Sequence, residues 1–222
     1  MLPNELAKRT YNVSENRPIS DNELIQRWIA GDVYAYNEIV QRYKDRLTNF
    51  SHRILQDYEL AVDVAQECFI RVYLKANTFQ GKVKFSTWLY KIATNLSINE
   101  LNRKKRRNIM SFMSFFNKDG EEDAFTVEDL ADAEILPDEA CEAKELSQFI
   151  QKKLASIPAT YRVPLVLREM EGHSYEEIME ILDLPEGTVK SRINRAKSLL
   201  KKVLANESWQ QEIIVAKEAS GL

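Results

Sequence analysis

The stretch Gly187-Thr-Val-Lys-Ser-Arg-Ile-Asn-Arg-Ala-Lys-Ser-Leu-Leu-Lys-Lys202 decides the fold. Val189, Ile193, Ala196, Leu200 and Val203 recur at three- and four-residue steps, so on a helix they line one apolar stripe. Lys190, Asn194, Lys197 and Lys201 form a second stripe by the same rule, with Ser191, Arg195 and Lys202 beyond it. No acid interrupts the run. Such a helix docks by one side and offers unbroken positive charge on the other, an arrangement suited to a polyanion.

The residues before it give that helix a setting. Ser174-Tyr-Glu-Glu177 is a capping-box pattern, with Ser174 placed to accept from the first amides and Glu177 to reach back. Tyr175, Ile178, Met179 and Leu182 supply an apolar face, and Asp183-Leu-Pro-Glu-Gly187 breaks the chain. A short helix, a tight turn and a basic helix make a helix-turn-helix, whose second helix enters the major groove. There Arg can pair with guanine and Asn with adenine, while Ser and Lys reach bases or phosphates.

Upstream, the helical period persists. Ser20-Asp-Asn-Glu23 opens a first helix with Leu24, Ile25 and Trp28 inward and Gly31 at its end. A second carries Ile39, Val40, Tyr43, Leu47, Phe50 and Ile54, and a third runs from about Leu60 to Ala76. After Asn77-Thr-Phe-Gln-Gly81, a fourth spans about Ser86 to Leu101 and ends in the basic block Arg103-Lys-Lys-Arg-Arg107. Pattern fades from Ser111 to about Glu139 and returns with Leu146, Phe149, Ile150 and Leu154. A further helix carries Tyr161, Leu165, Val166 and Leu167, with Pro164 inside it giving a bend or a tightened start. Strand alternation is absent, so the expected class is all-α.

Charge is distributed unevenly. The 222 residues carry a formal net charge of −3, which looks wrong for a partner of nucleic acid. Yet Asp119 to Glu145 holds twelve acids and a single base, Lys144, leaving the rest of the chain distinctly basic. Two basic modules and an acidic connector are expected, the connector a flexible spacer. Asn95, Asn99 and Asn102 share one helix face, and Arg103 and Arg106 continue it. Amides can read base edges, bases hold phosphate, and the aromatic-bearing loop nearby can receive an unstacked base, as capture of single-stranded DNA requires. Trp88 reads more simply as packing. Asp63, Gln66, Glu67 and Arg71 lie on one exposed face and offer a surface to a protein.

Several classes are set aside. No apolar run is long enough to cross a membrane, and no secretion signal is visible near the start. Cys68 and Cys141 are isolated thiols, which points to a reducing, cytoplasmic setting. His52 and His173 lack ligand spacing with either thiol, so no metal and no cofactor is expected. No nucleophilic triad, phosphate-cradling loop or carboxylate cluster is present, so neither an enzyme nor a small-molecule substrate is expected.

Four blocks then carry a resemblance: Asp63-Val-Ala-Gln-Glu67 with Phe69, Phe85-Ser-Thr-Trp-Leu-Tyr-Lys-Ile-Ala-Thr-Asn95, Glu171-Gly-His-Ser-Tyr-Glu-Glu-Ile178 and Gly187-Thr-Val-Lys-Ser-Arg192. In this order, from about Asp21 to Leu204, the chain resembles the extracytoplasmic-function (ECF) sigma factors of bacterial RNA polymerase. The resemblance implies two small helical domains: sigma region 2 over 20–110 and the helix-turn-helix of sigma region 4 over 144–205. A loose segment at 1–19, an acidic linker at 111–143 and a tail at 206–222 complete the organisation.

It further implies that Asp63, Gln66, Glu67 and Arg71 meet core RNA polymerase, at the clamp of its largest subunit, with the flap as a second contact. Asn95, Asn99, Asn102, Arg103 and Arg106 fall to the minus-ten element, and the loop Asn77 to Lys84 to a flipped base. Lys190, Ser191, Arg192, Asn194 and Arg195 fall to the minus-thirty-five element of promoter DNA. The acidic linker would mimic nucleic acid inside polymerase channels. The longer linker and the tail leave room for an anti-sigma factor. The competing expectation is a stand-alone helix-turn-helix regulator, which needs neither the Asn95/Asn99 face nor the Gln66/Glu67 patch.

Overall fold

The computed structural model describes residues 19–116 and 141–206, with side chains described for 19–107 and 148–204. The N-terminal segment, most of the acidic linker and the tail therefore lie outside the described residues. Among those described, the chain is all-helical: α1 (Asp21–Ile29), α2 (Val33–Leu55), α3 (Tyr58–Lys75), α4 (Phe85–Phe116), α5 (Cys141–Ala155), α6 (Ala159–Glu169), α7 (Tyr175–Leu182) and α8 (Glu186–Asn206).

Short polar side chains start the N-terminal helices. Ser20, Asp32 and Asp57 each accept from amides of the first turn, satisfying donors the helix itself cannot. At Ser20 only half of a capping box forms, because Glu23 turns to Arg27 at 2.6 Å. Left-handed residues end α2 at Gln56 and α7 at Asp183, with φ of 57° and 54°.

Helices α1–α4 enclose one core. Ile25, Ile39, Leu47, Phe50, Ile54, Phe85, Leu89 and Tyr90 are fully buried in it, each worth about 1.5–3 kcal/mol of transfer from water. Trp88 is half-buried and its ring lies 5.4 Å from Phe79 and 6.0 Å from Phe85, the packing role expected of it. Helix α4 does not stop near Leu101. It carries the basic block on its exposed side and its backbone stays helical to Phe116, because Arg and Lys are good helix formers and nothing there breaks the ladder.

The C-terminal half packs α7 and α8 against α6, with Ile178, Ile181, Val189, Ile193 and Ala196 buried between them. Ile181 was not on the expected apolar face, which centred on Ile178. Helix α6 runs through Pro164, and Arg162 to Leu167 are all buried. A stretch buried around a full turn must be covered on all sides; α7 and α8 cover part of α6, and α2 of the N-terminal half covers a further part.

Candidate nucleic-acid interface

Helix α8 is held from behind and open in front. Its buried Val189, Ile193 and Ala196 leave Lys190, Ser191, Asn194 and Arg195 exposed and Arg192 half-buried. The geometry of the turn comes from α7, where the capping box is complete: Glu177 donates its amide to Ser174 Oγ at 3.2 Å, and Ser174 donates its own to Glu177 Oε2 at 2.8 Å. Tyr175 sits between two cations, with the Arg168 guanidinium 4.7 Å and Lys190 Nζ 5.6 Å from its ring. Lys190 also meets Glu186 at 2.6 Å, and this hydrogen bond raises the lysine above its ordinary range. Lys197 is tied back to Glu169 of α6 at 2.8 Å.

On α4, Asn95, Asn99, Asn102, Arg103 and Arg106 are all exposed. Lys91 lies one turn before Asn95 and belongs to the same stripe. Arg103 is braced by Glu100 at 2.7 Å. The loop before α4 departs from expectation. Its aromatic, Phe79, is buried, edge-on to Phe85 at 5.9 Å and tilted against Trp88 at 5.4 Å, so its ring offers no open face to an unstacked base. A Phe flanked by two aromatics across a tight turn completes the core instead. What the loop exposes is polar: Asn77, Thr78, Gln80, Lys82 and Lys84.

On α3, Asp63 and Gln66 are exposed and Glu67 and Arg71 half-exposed, the last two paired at 2.8 Å. Ile70 and Leu74 stand on the same face at 53% and 72% exposure. Sequence reasoning missed both. The signal was there, since Asp63, Gln66, Ile70 and Leu74 step by three and four. Cys68, on the opposite face, is buried, and burial pushes its thiol up to about 12, which makes it inert.

No helix among the described residues is long and apolar enough to cross a membrane. Residues 39–107 match the family model of Sigma-70 region 2, and residues 149–200 that of Sigma-70, region 4. The chain is 39% identical over 174 residues to the ECF RNA polymerase sigma factor SigW of Bacillus subtilis (strain 168), covering 78% of this chain and 91% of that protein. It is 34% identical over 182 residues to the ECF RNA polymerase sigma-E factor of Escherichia coli (strain K12), covering 82% and 93%. Among solved structures, the fold is similar to CnrH in complex with the cytosolic domain of CnrY, with a TM-score of 0.60 at 19% identity over 85% of this chain and 99% of that one. It is also similar to RpoE in complex with the anti-sigma factor NepR from Bartonella quintana, with a TM-score of 0.56 at 21% identity over 78% and 98%. Both regions match in order and the alignments run nearly the length of the relatives, which sets the stand-alone regulator aside: the chain belongs to the ECF RNA polymerase sigma factors.

Proposed function

We propose that the three exposed faces divide the work of promoter recognition. The α3 face, with Asp63, Gln66, Glu67 and Arg71, docks on the clamp of core RNA polymerase, and Ile70 and Leu74 give that contact its apolar centre. Small apolar patches ringed by polar groups are what protein interfaces bury. Asn95, Asn99 and Asn102 read the separated strand of the minus-ten element while Arg103 and Arg106 hold its phosphates. With Phe79 buried, a flipped base in the loop is held by hydrogen bonds from the exposed amides rather than by stacking. Lys190, Ser191, Arg192, Asn194 and Arg195 read the minus-thirty-five duplex. The protein acts in the cytoplasm, is not an enzyme and needs no cofactor. An anti-sigma factor is a further partner.

One observation carries this reading. A single chain of this family presents an amide-and-arginine stripe on α4 and a cationic recognition face on α8, each backed by buried apolar residues of its own helix and its neighbours. The test is run-off transcription on genomic fragments with purified core polymerase, with and without the protein. Discrete new transcripts that require the protein support the reading. No transcripts, with DNA preference complete in the protein alone, overturns it.

A further inference from the structure

Helix α8 carries a single acid, and it stands at the end that reaches furthest into a groove. From Glu186 to Asn206 only Glu186 is acidic. The amides of Thr188 and Val189 donate to the Pro185 carbonyl at 3.0 and 3.1 Å, so Pro185 closes the first turn and Glu186 is the first residue inside it. The N-terminal residues of a recognition helix are the ones that contact base edges. The Glu186 side chain is 53% exposed. It steps by four to Lys190 and by four again to Asn194, so the three share one stripe.

The carboxylate is held in place. Lys190 Nζ meets its Oε1 at 2.6 Å, and the Tyr175 ring lies 5.6 Å from the same ammonium on the α7 side. Oε2 has no partner among the described residues. An ionised carboxylate accepts through both oxygens, and an ammonium has three donors. Lys190 can therefore give one donor to Glu186 and keep the others for a phosphate, while Oε2 stays open to a further donor.

A carboxylate on this face works against DNA binding in general, because it repels every phosphate that comes near. It favours binding only where a donor meets it. In the major groove two base groups donate, cytosine N4 and adenine N6. Adenine sets the acceptor N7 beside its donor, which repels a carboxylate; cytosine offers the donor alone. Lys190, Arg192 and Arg195 only donate, so none of them can pair with cytosine.

We propose that Glu186 is a specificity-determining residue of the minus-thirty-five contact: its Oε2 accepts from the N4 amino group of a cytosine while Lys190 holds Oε1. The inference rests on the promoter reading above and adds to it a base that the cations of α8 do not select. The same charge penalises other sequences, so Glu186 lowers affinity for unrelated DNA as it raises discrimination.

The test uses the full chain bound to core polymerase. A promoter is first identified by run-off transcription on genomic fragments, and its upstream element is then randomised. Duplexes retained by the wild type, Glu186→Ala and Glu186→Gln are sequenced, and fluorescence anisotropy reads affinity for a duplex of scrambled sequence. Circular dichroism checks that each variant remains helical. In the wild type one position is expected to favour cytosine about fivefold. Glu186→Ala flattens that position alone and binds the scrambled duplex more tightly. Glu186→Gln moves the preference toward adenine, whose N6 and N7 an amide can pair with together. Base preferences that are the same at every position in all three proteins overturn the inference and leave the promoter reading standing. Glu186 would then serve only as a favourable charge at the start of α8, read as a lower melting midpoint in Glu186→Ala. A wild type that selects no sequence at all overturns the promoter reading, and this inference with it.

Discussion

At the residue scale, the strongest individual roles belong to side chains whose neighbours leave them one task. Lys190 and Arg195 project from the open side of α8, where both are exposed. If they meet phosphates, each releases counterions on binding. Lys190→Ala and Arg195→Ala are then expected to weaken duplex promoter binding and to lower the salt slope by about 0.9 each, measured by titration at several salt concentrations. An unchanged slope removes them from the phosphate contact. Asn95 is different, because an amide earns its place only once a base edge is exposed. Asn95→Ala is expected to slow promoter opening, read by permanganate reactivity, while leaving initial duplex binding intact; equal loss in both assays denies it that role. Arg162 is a structural counterpart. The residue is 5% exposed, its guanidinium caps carbonyls of two helices, Ile54 at 2.7 Å and Leu154 at 3.1 Å, and burial pushes its pKa down to about 10. Arg162→Met leaves these acceptors dry and is expected to cost about 3 kcal/mol in chemical denaturation; a loss below 1 kcal/mol would mean the carbonyls find water.

At the element scale, the helix-turn-helix shows why some of this structure was legible in sequence and some was not. Its determinants are local. Ser174 and Glu177 are three residues apart, and each satisfies the other's amide. Val189, Ile193 and Ala196 mark a period that a single helix imposes. The same holds for the exposed Asn95, Asn99 and Asn102, whose spacing is enough to place them together. What was missed depended on distant partners. Ile70 and Leu74 look like core residues until the register of α3 against α2 and α4 turns them outward. Phe79 looks available until Phe85 and Trp88 close over it. The full length of α4 was hidden because a basic run has no apolar period to follow, although its backbone is as helical as its neighbours'. The local logic carries a prediction of its own. Ser174→Ala removes half of the capping box and is expected to cost about 1 kcal/mol, which lowers the melting midpoint by about 2–4 °C for a chain of this size. No shift in midpoint would mean that tertiary packing alone fixes the start of α7.

At the scale of the whole molecule, the junction between the two halves gathers titratable groups, and their combined sign can be worked out. His173, in the loop before α7, faces Glu177 at 3.4 Å, the Glu171 carboxylate, the Tyr90 ring from α4 and the Arg46 guanidinium from α2. Burial dominates and holds its pKa below the ordinary value, although both carboxylates pull the other way. His52, at the end of α2 beside the same junction, is lowered by burial first and by Arg53 second, against Asp57. In the unfolded chain a histidine takes up its proton near pH 6.5. In the folded chain both take it up later on acidification. Between those points the unfolded state binds more protons, so stability is fully present above about pH 6.5 and is lost as pH falls through that window. Glu177 adds loss of the same sign further down: although burial raises it, the Ser174 amide and Lys84 hold its carboxyl below the usual range, so its contribution persists until the pH falls below that of a free carboxylate. The melting midpoint is therefore expected to be lower at pH 5.5 than at pH 7.5, with the fall made shallower in His173→Gln. A midpoint that rises on acidification, or a slope that His173→Gln leaves unaltered, would mean that the junction opens to water and that the carboxylates around His173, rather than its burial, set its charge.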